Sequence, residues 1–217
     1  MRFGASIMCA DQMDLKGELQ ALKEAGIGWI HCDVMDGVFV NNLAMGPYNT
    51  APIIQDGGFI IDVHLATYTP ERFVELFAPV KPHYLTFHVE AADRPRDIIR
   101  QIQGHGIQVG IAISPETELE TILDYLPEVD LVLVMTVNPG FAGQRMQLPV
   151  LEKLRGLQAH MAGWQKRPLI SVDGNIHGET IALISPIGAD VYILGTSGLF
   201  FGEKAYREKV KRLADML

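Results

Sequence analysis

Short runs of apolar residues alternate along the chain with longer segments in which apolar residues recur at helical spacing. The apolar runs predict eight β-strands, over residues 3–7, 27–33, 59–64, 83–88, 107–113, 131–135, 169–172 and 190–194. The segments that follow them predict helices over residues 13–24, 48–54, 69–77, 95–104, 116–126, 148–161, 177–185 and 203–217. The run 131–135 is apolar throughout, which is typical of a strand buried on both faces.

This alternation predicts a parallel sheet covered by helices. Eight strand–helix units in 217 residues indicate a closed (β/α)₈ TIM barrel near the short end of its size range. No linker, low-complexity segment or change in composition divides the chain, so we expect residues 1–217 to form a single domain. A doubly wound open sheet is the alternative, but no glycine-rich dinucleotide fingerprint follows the first strand.

Composition narrows the possible partners and compartments. The net charge of −8 argues against a nucleic-acid-binding protein, although an anionic small molecule can still be bound by backbone N–H groups. No apolar run approaches the roughly 18 residues of a membrane span, and no long apolar stretch follows Arg2 as it would in a signal peptide. The two cysteines are too few for a disulfide framework, so we expect a cytoplasmic protein that contacts neither membrane nor nucleic acid.

Polar side chains stand at the carboxyl ends of several predicted strands, where the active sites of such barrels lie. His31 and Asp33 share one face of the second strand, because side chains alternate along a strand. His64 ends the third strand and Asp173 follows the seventh. Two imidazoles and two carboxylates at one mouth indicate either a divalent-metal site or a hydrogen-bonded His–Asp network without a metal. We expect Asp62, on the same face as His64, to orient that ring.

Glycine-rich segments after the last strands suggest a phosphate site. Barrels often bind phosphate with the loops after strands seven and eight, where glycine lets backbone N–H groups approach an anion. The segments Gly174–Asn175 and Gly195–Thr196–Ser197 fit this pattern. Ordinary tight loops are the alternative interpretation of the same residues.

Four motifs occur in one order along the chain: HCDVMDG at residues 31–37, DVHL at 62–65, MTVNPGFAGQ at 135–144 and VDG at 172–174. In these motifs, and over nearly its whole length, the sequence resembles the ribulose-phosphate 3-epimerase family. The resemblance implies a ribulose-phosphate-binding type of barrel and epimerisation at C3 of a ketose phosphate. It also implies one divalent metal ion per chain, zinc, ferrous iron or manganese, held by the residues here occupied by His31, Asp33, His64 and Asp173.

By the same resemblance, Asp33 and Asp173 are the catalytic acid and base. The implied substrate-binding residues are Ser6, Met35, His64, Met135, Gly140, Phe141, Ala142, Gly143, Gly174, Asn175, Gly195 and Thr196. The two methionines would form a polarisable wall beside the reacting carbons, although methionine is also a common core filler. A small-molecule ketose phosphate is therefore the expected partner, and we expect a homo-oligomer.

Several positions depart from the family pattern. Asn41 stands where the family usually has proline, Ala66 where it usually has methionine, and Ala142 and Asn175 where it usually has glycine. The variant at Ala142 and the segment GTSGLF at 195–200 also resemble the allulose-6-phosphate 3-epimerase branch. We expect ribulose 5-phosphate as the substrate, with allulose 6-phosphate as the alternative.

Two further functions remain as alternatives. A decarboxylase on a related barrel would place Lys two residues after an active-site Asp, and no Lys follows Asp33 or Asp62 at that spacing. A non-catalytic sugar-phosphate-binding barrel would not need both Asp33 and Asp173.

Overall fold

The computed structural model describes residues 2–217, and its eight parallel strands close into a barrel in the order β1 to β8, with β8 paired to β1. The strands are β1 Arg2–Ser6, β2 Trp29–Met35, β3 Ile60–Ala66, β4 Tyr84–His88, β5 Gln108–Ile113, β6 Leu131–Met135, β7 Leu169–Asp173 and β8 Val191–Leu194. The predicted (β/α)₈ barrel is confirmed, and the open doubly wound sheet is wrong because β8 hydrogen-bonds to β1.

A helix follows each strand and covers the outside of the barrel. The helices are α1 Leu15–Glu24, α2 Pro47–Asp56, α3 Pro70–Phe77, α4 Pro95–Gly104, α5 Glu120–Leu123, α6 Val150–His160, α7 Gly178–Ile184 and α8 Tyr206–Ala214. Within residues 2–217, none of these helices has the length and apolar character needed to cross a bilayer.

Helices α5 and α8 differ most from the sequence pattern, which predicts them over residues 116–126 and 203–217, and a lysine side chain binds the loop before each of them. The segment before α5 does not become helical because Lys153 Nζ binds the carbonyls of Ser114, Pro115 and Thr117. The start of α8 is delayed to Tyr206 in the same way, because Lys209 Nζ binds the carbonyls of three preceding residues, among them Glu203 at 2.7 Å. A lysine that binds free carbonyls stabilises a loop that helical periodicity alone cannot reveal.

Apolar side chains fill the space between barrel and helices and also plug the amino-terminal end of the barrel. Every residue of β2 is buried, as expected for a strand covered on both faces. Inside the barrel, the Trp29 ring stacks on Tyr84 with 5.0 Å between centroids, and Leu131, Val191 and Ile193 pack around them. Because this end of the barrel is filled, the polar cluster described below occupies the middle of the barrel and the carboxyl ends of the strands.

Candidate active site and metal centre

A pocket that is open to solvent lies at the carboxyl ends of the strands. Both predicted catalytic residues, Asp33 and Asp173, line it. All of the predicted substrate-binding residues line it as well: Ser6, Met35, His64, Met135, Gly140, Phe141, Ala142, Gly143, Gly174, Asn175, Gly195 and Thr196. Side chains and loops that are far apart in sequence therefore meet at one end of the barrel.

Four side chains form a cluster at this pocket: Asp33, His64 and Asp173 line it, and the fourth, His31, is fully buried. His31 and Asp33 of β2, His64 of β3 and Asp173 of β7 each offer one ligand atom, and these atoms all lie within 4.8 Å of one another. His64 Nδ1 is 3.1 Å from Asp33 Oδ1, and His31 Nε2 is 3.4 Å from the same oxygen. His31 Nε2 also lies 3.9 Å from Asp173 Oδ2. The structure therefore brings these four residues together at one site.

Turns at the ends of two strands hold the carboxylates in place. After β2, Asp36 Oδ1 accepts the backbone N–H groups of Val38 and Phe39, so the chain turns away directly beyond Met35. After β7, Gly174 adopts φ +111°, and a Cβ there would lie 2.6 Å from Val137 Cγ2. This position therefore requires glycine, because both the backbone conformation and the close contact exclude a side chain.

The His31 ring is oriented by Asp62. His31 Nδ1 lies 2.9 Å from Asp62 Oδ2, and the hydroxyl of Thr86 donates to Asp62 Oδ1 at 2.6 Å. The expectation that Asp62 orients His64 is wrong, because the register of the parallel strands places Asp62 beside His31 and pairs His64 with Asp33. A carboxylate that accepts the Nδ1 proton leaves the opposite nitrogen, Nε2, free to bind a metal.

The buried carboxylates of the cluster favour a positive charge beside them. Burial by itself would lower the pKa of His31, but the charges and hydrogen bonds of Asp33 and Asp62 outweigh burial and raise the pKa well above its usual value. Burial would raise the pKa of Asp33, yet the charges and hydrogen bonds of His31 and His64 hold it far below its usual range. The pKa of Asp173 is raised by burial and by the charge of Asp33.

The residues present fit a divalent metal ion. His31 is fully buried, and among residues 2–217 its Nε2 has no hydrogen-bond partner although it faces the carboxylates of Asp33 and Asp173. An unpartnered buried nitrogen is costly, and a cation bound by the nitrogen and the carboxylates would remove that cost. Two imidazole nitrogens and two carboxylate oxygens suit zinc, ferrous iron and manganese alike.

The remaining wall of the pocket consists of backbone and small residues. Gly174, Asn175, Gly195 and Thr196 follow β7 and β8, and none of the side chains that line the pocket within residues 2–217 is Lys or Arg. Next to the loop after β7, the β6–α6 loop contacts the β2–α2 loop, where Asn42 Nδ2 donates to the carbonyl of Gly140 at 2.7 Å. An anion in this part of the pocket would therefore meet backbone N–H groups rather than a cationic side chain.

Sequence reasoning assigned no role to His88 and Glu90. His88 Nε2 lies 2.9 Å from His64 Nε2, and His88 Nδ1 lies 3.1 Å from Glu90 Oε2. Burial lowers the pKa of His88, and although burial would raise the pKa of Glu90, hydrogen bonds from His88 and from residues of the β5–α5 loop lower it to about 2. The available signal was the position of His88 at the carboxyl end of β4, next to β3.

Comparison with known proteins identifies the relatives of this chain. Residues 2–200 match the ribulose-phosphate 3 epimerase family. The ribulose-phosphate 3-epimerase of Chlamydia trachomatis serovar D is 36% identical over 210 residues, which cover 96% of this chain and 89% of that protein. The corresponding enzyme of Rhodobacter capsulatus is 37% identical over 203 residues, 93% of this chain and 87% of that protein.

Solved structures of lower identity share the fold. Phosphoribosyl anthranilate isomerase from Thermus thermophilus has a TM-score of 0.71 at 14% identity, with 100% of both chains covered. A 3-hexulose-6-phosphate synthase has a TM-score of 0.69 at 15% identity, again with 100% of both chains covered. At such identities the likeness supports the barrel fold alone.

A closed (β/α)₈ barrel with a His–Asp cluster at the carboxyl ends of its strands defines the class as a TIM-barrel protein with a candidate metal centre. The matches over most of the chain are more specific: the chain belongs to the ribulose-phosphate 3-epimerase family. It is an isomerase, an epimerase that acts on carbohydrate phosphates.

Proposed function

We propose that this chain is a metal-dependent 3-epimerase that interconverts D-ribulose 5-phosphate and D-xylulose 5-phosphate. The observation that carries the proposal is the pair Asp33 and Asp173, which reach one pocket from β2 and β7. Epimerisation removes the C3 proton beside the C2 ketone and returns a proton to the opposite face of the same carbon. Such a reaction needs two acid/base groups on different sides of the substrate.

The environments of the two aspartates suit opposite roles. The Ser6 hydroxyl donates to Asp33 Oδ2 at 2.7 Å, and His31 and His64 surround the other oxygen, so Asp33 is held as the ionised carboxylate, a base. Burial and the charge of Asp33 raise the pKa of Asp173, so Asp173 accepts and keeps a proton more readily than Asp33 does. Neighbouring carboxyl groups with pKa values pushed apart are typical of acid/base pairs. In the reverse direction the two roles exchange.

His31, Asp33, His64 and Asp173 would hold one divalent ion per chain. The chemistry that such an ion supplies is Lewis-acid stabilisation of negative charge that develops on the substrate oxygens. Asp33 and Asp173 hold and move the C3 proton, and Asp62 keeps the His31 ring in the orientation that leaves Nε2 directed at the cluster.

The rest of the pocket provides places for the remaining parts of the substrate. Ser6 and His64 would contact the sugar, and the apolar side chains of Met35 and Met135 would flank the reacting carbons. The phosphate would bind to backbone N–H groups of the two loops after β7 and β8, which contain Gly174, Asn175, Gly195 and Thr196. The residues Gly140, Phe141, Ala142 and Gly143 of the β6–α6 loop would cover it.

A turnover assay with three substrates tests the proposal. Purified protein loaded with zinc, ferrous iron or manganese is incubated in deuterated water with ribulose 5-phosphate, allulose 6-phosphate or unphosphorylated ribulose. We expect xylulose 5-phosphate to form with deuterium at C3, because the proton removed and the proton returned come from different groups. We expect little turnover of the unphosphorylated sugar, since it lacks the group bound by the loops after β7 and β8.

The alternatives give different results in the same assay. Faster turnover of allulose 6-phosphate than of ribulose 5-phosphate would identify a hexulose-phosphate epimerase, in keeping with the segment at 195–200. Binding of either phosphate without deuterium exchange would indicate a non-catalytic barrel. Full activity in protein stripped of metal would refute the metal-dependent mechanism.

A further inference from the structure

A line of hydrogen bonds leads from His64 through the buried ring of His88 to the partly exposed carboxylate of Glu90, and neither His88 nor Glu90 has a role in the proposed reaction. His64 Nε2 contacts His88 Nε2 at 2.9 Å, and His88 Nδ1 contacts Glu90 Oε2 at 3.1 Å. We propose that His88 and Glu90 are positioning residues for the metal centre: they keep a proton on His64 Nε2, so that Nδ1 is the nitrogen available to the metal. The inference rests on the proposed metal-binding role of His64.

The donor in each hydrogen bond follows from the contacts of Glu90, the last residue of the line. Glu90 Oε1 accepts the backbone N–H of Ser114 at 2.5 Å and also accepts the hydroxyl of Thr117. A carboxylate that accepts these donors is ionised and has only acceptor sites left for His88. The proton of His88 is therefore on Nδ1, where it donates to Glu90 Oε2.

Only one placement of protons then fits the contact between the His88 and His64 rings. His88 is fully buried, so its neutral form is favoured and its Nε2 carries a lone pair. Two ring nitrogens 2.9 Å apart need one proton between them, and the proton must belong to His64 Nε2. His64 Nδ1 is left facing Asp33 Oδ1 at 3.1 Å, inside the cluster of metal-ligating atoms.

The surrounding loop makes Glu90 a fixed acceptor. Lys153 Nζ donates to the carbonyls of Ser114 and Pro115 at 3.0 Å each and to that of Thr117. The loop between β5 and α5 is thus held by Lys153 through its carbonyls and by Glu90 through its donors. Neither partner of Glu90 can turn away without breaking these contacts.

The two histidines of the cluster are supported in parallel ways. Asp62 accepts from His31 directly, whereas Glu90 acts on His64 through the intervening ring of His88. Metal-binding histidines generally donate their second ring N–H to a carboxylate or carbonyl, which sets the tautomer and increases the basicity of the ligand nitrogen. This makes Glu90 the counterpart of Asp62 although it lies two hydrogen bonds from the metal centre.

The substitution Glu90→Gln reverses the donor and acceptor in both hydrogen bonds of this line, the one between residue 90 and His88 and the one between His88 and His64. The N–H of Ser114 can only donate, so the amide oxygen of Gln must face it and the amide nitrogen must face His88. His88 would then carry its proton on Nε2, and His64 would have to accept at Nε2 and carry its own proton on Nδ1. A proton on Nδ1 blocks the nitrogen that the metal needs.

Two measurements on the whole protein test this. Nitrogen–proton correlation spectra of histidine-labelled, metal-free protein, recorded at alkaline pH, report which ring nitrogen of His64 carries a proton. We expect a proton on Nε2 in the original protein and on Nδ1 in Glu90→Gln. Competition titration with Zn²⁺ should show an affinity about 10–100-fold lower in the variant.

The controls separate positioning from general damage. Glu75→Gln makes the same change beside the exposed His105, whose Nε2 lies 3.3 Å from Glu75 Oε1, and should alter neither measurement. His88→Gln offers an amide oxygen to His64 Nε2 and should retain most of the Zn²⁺ affinity, whereas His88→Leu should not. These two variants also answer the question if Glu90→Gln does not fold.

The results distinguish this inference from the proposed function. An Nδ1 proton on His64 in the original protein, or a Glu90→Gln affinity equal to that of Glu75→Gln, would overturn the inference and leave the epimerase proposal standing. The expected tautomers and affinities in a protein that epimerises none of the substrates would refute the proposed function alone.

Discussion

At the scale of single residues, Asp33 and Asp173 are chemically alike and placed in different surroundings. Asp33 is 4% exposed, and one hydroxyl and two imidazoles contact it. Asp173 lies 3.9 Å from the His31 ring, and the negative charge of Asp33 repels its carboxylate. One carboxyl group is therefore held ionised, and the other accepts and keeps a proton more readily. Sequence shows two aspartates, and only their neighbours assign them separate roles.

Replacing either aspartate with asparagine should reduce epimerisation strongly. Asp33→Asn or Asp173→Asn keeps the size and removes the group that transfers the proton, so we expect a loss of about 10²–10⁴-fold in kcat. The losses should not multiply in the double variant, because the two residues act as a unit. Deuterium incorporation at C3 and metal content are measured together.

The matched control is Asp93→Asn, which changes an exposed residue of the β4–α4 loop and should leave kcat unaffected. Near-normal epimerisation by Asp33→Asn or Asp173→Asn with metal still bound would show that a different pair performs the chemistry.

At the scale of elements, a row of inward-facing residues crosses four neighbouring strands. Gly110 of β5 pairs in register with Thr86 of β4, Thr86 donates to Asp62 of β3, and Asp62 holds His31 of β2. A Cβ at Gly110 would collide with the hydroxyl of Thr86. The absence of a side chain on β5 thus permits the hydrogen bond that supports Asp62.

We expect Gly110→Ala to lower the free energy of unfolding by about 1–3 kcal/mol, because overpacking the barrel interior forces Thr86 to move. Urea denaturation measures the change, and Zn²⁺ affinity should fall as well because Asp62 loses its donor. Gly28→Ala is the control, since a Cβ at that exposed position meets nothing within 4 Å. Equal stability of the two variants would contradict the steric argument.

At the scale of the whole molecule, the candidate metal centre joins β2, β3 and β7. β7 is far from β2 and β3 along the chain and comes near them only in the closed barrel, so the unfolded chain cannot offer the same four ligands. A ligand that binds only the folded state stabilises it by mass action. Metal binding should therefore be coupled to folding of the barrel.

Metal should raise the melting temperature and saturate at about one ion per chain. At a free concentration about 100 times Kd the stabilisation is about 2.7 kcal/mol. For a chain of this size that corresponds to a rise of roughly 5–10 °C in Tm. Calorimetry with and without Zn²⁺ measures it, and elemental analysis gives the stoichiometry.

The same titration on Asp173→Asn should give a much smaller rise, because one of the four ligands is altered. An equal rise in both proteins would place the bound ion somewhere other than this cluster.

The sequence by itself determined the alternation of strands and helices, because buried strands and amphipathic helices require different apolar periods. It also determined that His31 and Asp33 face the same way, since successive side chains on a strand alternate. The four sequence motifs were enough to indicate the family. The positions of His64 and Asp173 at strand ends were enough to predict that these two residues would lie near His31 and Asp33.

Only the tertiary structure decided which of these groups touch. Register places Asp62 beside His31 rather than His64, and it brings His88 against His64 from the neighbouring strand. Lys153 and Glu90 then hold the β5–α5 loop, of which periodicity had predicted residues 116–119 as the start of a helix. These contacts depend on how strands align and how side chains find partners across the barrel, and no local property of the sequence encodes either one.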